Sequence, residues 1–385
     1  MTGCIIGWAH TKFGKLDRDL ESLIAETGAE AIKDAGIAPS DIGAIYVGNF
    51  GGFEKQGFPA SFALGDPALR FRPATRVENA CATGSAAIRM GLNDLAARQS
   101  RFVLVVGAEK MTAAPPAEIG DVLLNASYRK EEGDTEGGFA GLFARIAQLY
   151  FQRYGDRSEA LARIAAKNHR NGVANPYAQL RKDFGFDFCN NVSDKNPLVA
   201  APLRRTDCAP VSDGAAALVL ADTETALRMP KAVHIRAMVQ ANDYLPMSRR
   251  DIVAFEGCRE AWRQAHAAAG TSLDDLDLVE THDCFTIAEL IEYEAMGLAA
   301  PGEGHRVIEE GIAEKGGRLP VNPSGGLKAK GHPVGATGIS MHVMAALQLT
   351  GEAQGMQVAG ASLAGVYNMG GAAVANYVSV LERLR

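Results

Sequence analysis

Short apolar runs alternate with amphipathic segments along this chain of 385 residues. The runs "CIIGWA", "IGAIYVG", "ATRVEN" and "RFVLVVG", near residues 4, 42, 74 and 101, are predicted strands. Between them, "ESLIAETGAEAIKDAG" and "GSAAIRMGLNDLAARQ" repeat their apolar positions every three or four residues and are predicted helices. Gly36 is the expected stop of the first helix and the Gln99-Ser100 turn that of the second. Such alternation implies a buried parallel or mixed sheet with helices on its faces.

The same order then returns. "EAWRQAHAAAGTSLDDLDLVETHD" mirrors "ETGAEAIKDAGIAPSDIGAIYVGN": Ala35-Gly36 matches Ala269-Gly270 and Asp41 matches Asp275, 234 residues apart (269−35). Further on, "CATGSAAIRM" from Cys81 aligns with "HPVGATGISM" from His332 at an offset of 251 (332−81). Two copies of one α/β unit are therefore fused, and the period is too long for a solenoid. The expected product is a pseudo-twofold pair of sheets.

Between the strand near 101 and a predicted strand at "DGAAALVLA" lies an insertion rich in Gly, Asn, Pro, Arg and Lys, with helical stretches near 141–154 and 158–171. Insertions of this size tend to form ligand-facing loops. The expected division is one half from 1–114 and 207–228, a loop domain over 115–206, and a second half over 229–385.

Composition narrows the class. Hydrophobic residues make up 47% and charged residues 22%, an ordinary globular balance. The net charge of −6 provides no basic field for nucleic acid or an anionic membrane. No apolar run approaches the roughly 18 residues of a membrane span. Neither the start, "MTGCIIGWAH", nor the end, "VLERLR", carries a recognisable targeting or lipidation signal, and a cytoplasmic location is expected. Cysteines at 4, 81, 189, 208, 258 and 284 form no C-x-x-C pair and read as reduced thiols.

Three places carry candidate chemistry. Cys81 in "RVENACATGSAAI" stands where a strand turns into a helix of small residues. A thiol there feels the helix dipole, which favours thiolate; the alternative is a small side chain filling a tight corner. The repeat offers His332 in "NPSGGLKAKGHPVGATGI" as its counterpart, and Cys–His pairs make activated nucleophiles. The glycines around it fit neither dinucleotide- nor phosphate-loop patterns. "HDCF", His282 to Phe285, follows a predicted strand at the sheet end where α/β sites form. It is open to three readings: a satisfied turn, a metal site lacking further ligands at recognisable spacing, or a second thiol placed to shuttle protons.

In order along the chain, "NACATGSAA", "SDGAAALVLA", "HDCF", "NPSGGL", "GHPVGATG" and "YNMGG" resemble a thiolase over nearly the whole length. The branch resembled is that of the sterol-carrier-protein thiolases and their bacterial and archaeal relatives. Most thiolases carry N-E-A-F where this chain has H-D-C-F, and C-x-G where it has Asn368-Met369-Gly370. In the sterol-carrier branch the cysteine of H-D-C-F takes over the acid/base task of the absent one. The resemblance implies an α/β five-layered αβαβα thiolase fold with two pseudo-symmetric halves and an inserted loop domain. It implies catalytic Cys81, His332, Cys284 and His282, an oxyanion hole from Cys81, Gly370, His332 and His282, no metal, and coenzyme A as substrate without a tightly bound cofactor.

Lys167, His169 and Arg170 in "KNHRNGVANPYAQL" are candidate contacts for CoA phosphates; a solvated helix face is the competing reading. Family habit implies a homodimer or a dimer of dimers. A second class is a retro-aldolase on steroid side-chain CoA esters working with a small OB-fold acyl-CoA-binding protein, although such relatives tend to have lost the nucleophile or its histidine. A third is a non-catalytic acyl-CoA-binding component of a condensation complex, which an intact Cys/His/Cys set disfavours. A ketoacyl synthase would share Cys81, but "HDCF" does not suit it.

Overall fold

The computed structural model describes residues 3–384. The strands are β1 (Gly3–His10), β2 (Ile42–Gly48), β3 (Ala74–Val77), β4 (Phe102–Lys110), the hairpin β5 (Leu198–Ala200) and β6 (Leu203–Arg204), β7 (Asp213–Ala221), β8 (Val233–Asn242), β9 (Leu278–Glu280), β10 (Leu363–Gly370) and β11 (Ala375–Arg383). The longer helices are α1 (Leu20–Ala35), α2 (Thr83–Ala96), α3 (Gly138–Tyr154), α4 (Ser158–Gly172), α5 (Glu256–Ala269), α6 (Thr286–Ala295) and α7 (Thr337–Thr350).

Runs such as "GCIIGWAH" and "DGAAALVLA" are buried along their whole length, as interior strands must be when helices cover both faces. The first half orders its strands β3-β2-β4-β7-β1, and the second continues β8-β11-β10-β9, with Val321 bridging β9 on its far side. The second half thus repeats the first in mirror order. The expected pair of sheets is joined edge to edge, because β1 pairs antiparallel with β8 from Gly3↔Ile235 to Ile5↔Val233. Layers follow from the helix contacts. α1 covers the outer face of β1, β4 and β7, α5 covers β8 and β11, and α2 and α7 lie together between the halves. That is the αβαβα arrangement.

Local chemistry repeats with the topology. Asp19 caps α1 by accepting from Ser22 N at 2.8 Å, and Gly36 and Gly270 end α1 and α5 with left-handed φ of 70° and 63°. Asp41 and Asp275 close equivalent turns, accepting from Ala38 N at 3.0 Å and Ser272 N at 2.7 Å. The 234-residue offset therefore holds, but the 251-residue offset does not. Thr83 and Thr337 each open a central helix, so "ATG" at 82–84 matches "ATG" at 336–338, an offset of 254 (337−83). The counterpart of Cys81 is Gly335, and His332 stands three residues earlier.

α7 is buried at every position except Thr350, as a helix in the central layer must be. Its start touches the start of α2. A Cβ on Gly338 would lie 2.3 Å from Ser85 N and 2.4 Å from Asn368 Oδ1, so only glycine permits this crossing. The chain leaves the sheet after β4 and returns at β7, and α3 and α4 lie in the excursion.

Candidate active site

Cys81 follows β3 through the turn Glu78–Ala82. Ala80 takes a left-handed φ of 49°, a conformation that costs a residue with a Cβ roughly 1–3 kcal/mol. Three hydrogen bonds hold it: Ala80 N donates to Glu78 Oε1 at 2.5 Å, Asn79 N to Thr83 Oγ1 at 2.8 Å, and Asn79 Nδ2 to Tyr377 Oη at 2.9 Å. The turn places Cys81 immediately before the first turn of α2, with its sulfur accepting from Gly371 N. Gly370, the oxyanion donor that the resemblance implies, precedes Gly371 and lies at the end of the β10–β11 ladder opposite Ala375.

His332 is fixed from both ends. Its backbone N donates to Ser212 Oγ at 3.0 Å. Thr337 Oγ1 donates to Pro333 O at 2.9 Å and therefore accepts from His332 Nδ1–H at 2.6 Å, leaving Nε2 as the basic nitrogen. Asn368 does the corresponding work for His282. Its Oδ1 accepts from Ser85 Oγ at 2.8 Å, and its Nδ2 donates to Cys81 O at 3.1 Å and to His282 Nδ1 at 2.9 Å. The proton of His282 then sits on Nε2, which is buried and has no hydrogen-bond partner. One residue thus ties the nucleophile's backbone to the second imidazole. The motif "YNMGG" contained Asn368, but nothing in its sequence spacing marked it as the link.

The two imidazoles meet edge to face with centroids 5.1 Å apart, and a ring nitrogen of each lies with Cys81 Sγ inside a mutual 4.8 Å. Sequence spacing offered "HDCF" no companion metal ligands, whereas the fold gathers a Cys–His–His set from three segments. Because Asn368 donates to Nδ1, Nε2 of His282 is a hydrogen-bond donor and not a free lone pair. The set is built for anion stabilisation more than for a cation.

Burial governs the electrostatics. Cys81 is 4% exposed, and desolvation pushes its thiol up to about 12 against the pull of Gly371 N–H. Burial thus works against the thiolate that the helix dipole was expected to favour, and it outweighs the amide bonds to the sulfur. His332 is pushed down to about 3 by burial and then by the Lys330 charge, and His282 well below its usual range by burial, His332 and Lys330. The resting pair is thiol and neutral imidazole. Cys284 is raised well above the usual thiol value by burial and then by Cys81, rather than being poised near neutrality.

Asp283 serves the scaffold. Its carboxylate accepts from Leu327 N at 2.6 Å, Lys328 N at 3.2 Å and Asn168 Nδ2 at 2.8 Å, pinning the glycine-rich segment that leads to His332. Glu109 pins the other side, accepting from Asn49 Nδ2, Phe50 N, Gly51 N and Gly335 N at 2.9–3.0 Å.

Cys81, Cys284 and His332 open onto one cavity of about 690 Å³ whose walls include Met111, Ile119, Leu123, Phe139, Val199 and Phe285. None of Lys167, His169 and Arg170 lines it. Lys167 is fully buried and donates to Glu289 Oε1 at 2.5 Å and Val321 O at 2.7 Å. His169 is 1% exposed, packs edge-on against Phe184, and is pushed down to about 2 by burial. Only Arg170 reaches solvent, where it pairs with Glu314 at 2.5 Å. The polar run "KNHRN" therefore builds the interior, and its reading as a CoA-phosphate cluster fails.

A strand–turn–helix cysteine, a glycine-loop histidine and an H-D-C-F strand exit, brought together by two α/β halves, define an enzyme of acyl-thioester chemistry. The chain belongs to the thiolase family: residues 4–187 match the thiolase N-terminal domain and residues 240–383 the thiolase C-terminal domain-like family. It is a thiolase enzyme. An acetyl-CoA acetyltransferase of Methanothermobacter thermautotrophicus is 38% identical over 98% of this chain and 99% of its own length. Rabbit sterol carrier protein 2 is 34% identical over 96% of this chain, which spans 70% of that protein. Among solved structures, an Ltp2-ChsH2(DUF35) aldolase superposes at a TM-score of 0.85 with 23% identity, covering 100% of this chain and 98% of that one. Human mitochondrial 3-ketoacyl-CoA thiolase in complex with CoA gives 0.77 with 16% identity, covering 100% and 98%. Among the described residues no helix is long and apolar enough to cross a membrane.

Proposed function

We propose that the enzyme cleaves 3-ketoacyl-CoA with CoA, and catalyses the reverse Claisen condensation, through an acyl-Cys81 intermediate. The observation that carries this reading is the meeting of Cys81 Sγ and the two imidazoles within 4.8 Å, with Cys81, His332 and Cys284 at the wall of one cavity. His332 Nε2 takes the Cys81 proton as the sulfur attacks the keto carbonyl. The N–H groups of Cys81 and Gly370 hold the oxyanion, each such donor being worth about 3–4 kcal/mol. The Cα–Cβ bond then breaks, His282 Nε2–H stabilises the departing enolate oxygen, and Cys284 delivers the proton to its α-carbon. A thiol held protonated by burial suits that step. CoA thiol finally gives its proton to the Cys284 thiolate and takes the acyl group from Cys81, whose sulfur recovers its proton from His332. Condensation is the same path reversed.

The test is mass spectrometry after incubation with acetyl-CoA or a longer acyl-CoA. One acyl mass is expected on the peptide containing "ENACATGS", lost in Cys81→Ala; an acyl group on Cys284 would reverse the thiol roles. The superposition on an aldolase complex favours a second reading, retro-aldol cleavage with a small OB-fold partner. Thiolysis of short, long and steroidal 3-ketoacyl-CoAs by the purified chain alone separates the two. The reading also places the enzyme in the cytoplasm as a homodimer or dimer of dimers, the oligomeric state being measurable by light scattering.

A further inference from the structure

One wall of the catalytic cavity is the helix Pro116–Leu123, which turns Pro116, Ile119, Gly120 and Leu123 inward. These positions follow the i, i+3, i+4, i+7 rule of one helix face. Three are apolar side chains and the fourth is glycine. Gly120 has no positive φ that would demand glycine, and a Cβ built there meets nothing within 4 Å. Helix interiors disfavour glycine by about 1 kcal/mol relative to alanine. Conformation and packing therefore leave its presence unexplained. What glycine provides here is room, in a wall that is otherwise closed by Ile119 and Leu123 and faced by Phe139 and Val199.

Resting on the thiolase reading above, we propose that Gly120 determines acyl-chain length, leaving a channel for 3-ketoacyl groups with an unbranched apolar tail much longer than that of acetoacetyl-CoA. An acetyl group has three heavy atoms, which at a water-like ~30 Å³ each occupy no more than about 90 Å³. The cavity is about 690 Å³ and is lined mostly by apolar groups. An acetyl unit on Cys81 would leave the apolar surface not covered by the CoA arm in contact with water, whereas a longer chain would cover it, at roughly 0.8 kcal/mol per buried methylene.

Gly120→Leu fills the channel from an exposed helix without disturbing Cys81, His332 or Cys284; Gly120→Ala is the milder variant and improves helix propensity. The experiment measures kcat/KM for thiolysis of C4, C10 and C16 3-ketoacyl-CoAs by the wild-type chain and both variants. The wild-type enzyme should prefer C10 or C16 over C4 by at least about tenfold, a few buried methylenes' worth. Gly120→Leu should remove that preference and leave C4 within about threefold of wild type, with Gly120→Ala intermediate. Two results overturn the proposal: a wild-type preference for C4, or an equal loss on all three substrates in Gly120→Leu, which would make Gly120 part of the path of CoA itself. Both leave acyl-Cys81 detectable by mass. Its absence with every acyl-CoA would instead sink the thiolase reading on which the proposal rests.

Discussion

The protonation state of the nucleophile before substrate arrives is a consequence of burial that can be measured directly. A Cys81 thiol at about 12 is ionised to roughly one part in 10⁵ at pH 7, against about one in 10² for a thiol at its ordinary 9.0. The difference of about three units corresponds to roughly 4 kcal/mol against the resting thiolate. His332, pushed down to about 3, cannot compensate by holding a charge beside it. The rate of Cys81 alkylation by iodoacetamide should therefore rise about tenfold per pH unit from pH 6 to 10 without a plateau. Its progress is followed by mass on the "ENACATGS" peptide. His332→Ala should change that slope little, because hydroxide and not the imidazole removes the proton. The same variant should lower acylation by acyl-CoA about 10²–10⁴-fold, because there the proton must move as the bond forms. A plateau in the wild-type alkylation profile with a midpoint below pH 8, abolished in His332→Ala, would reveal a standing thiolate–imidazolium pair and refute this account.

Cys284→Ala should leave acylation of Cys81 by simple acyl-CoA largely intact while depressing thiolysis and condensation about 10²–10⁴-fold; near-normal thiolysis would mean the α-proton travels by another group. Glu109, pushed from 4.5 up to about 7 mainly by burial, binds its proton more tightly folded than unfolded. Its contribution to stability is therefore full below about pH 4.5 and lost as pH rises through about 7, by some 3 kcal/mol. Urea unfolding at pH 4.5 and 8 should show wild type losing that much relative to Glu109→Gln, and a pH-independent difference would contradict it. Lys167→Met should leave Glu289 buried without its cation, held only by hydrogen bonds from Asn168, Asn322 and Tyr293, destabilising by about 3–5 kcal/mol. In the protein that still folds, the KM for CoA should not change; a raised KM would restore Lys167 to the phosphate site.

Much of this enzyme was legible one residue at a time. Short apolar runs located β1 to β4, and a period of three to four residues located α1 and α2, because burial in a sheet or on a helix face acts locally on residue type. The repeat revealed two halves, since Gly36 and Gly270, or Asp41 and Asp275, close the same turns for the same reasons. Residue pattern pointed to Cys81 and His332, and the resemblance to thiolases added His282 and Cys284 to the expected site. What tertiary structure alone decided was how these groups stand in space and what surrounds them. A linear offset made His332 the mate of Cys81, but the helix starts make it Gly335, because symmetry is defined by backbone and not by the best run of identities. The helix dipole argued for a thiolate, but desolvation is a property of everything packed around the sulfur and pushes the thiol the other way. Lys167, His169 and Arg170 looked like a polar helix face, yet the ion pair with Glu289, 122 residues away, turns the first of them inward. Asn368 became central only when β10 came to rest between Cys81 and His282. Spacing along a chain reports which side chains share an element; charge, protonation and reach depend on neighbours brought together from distant segments.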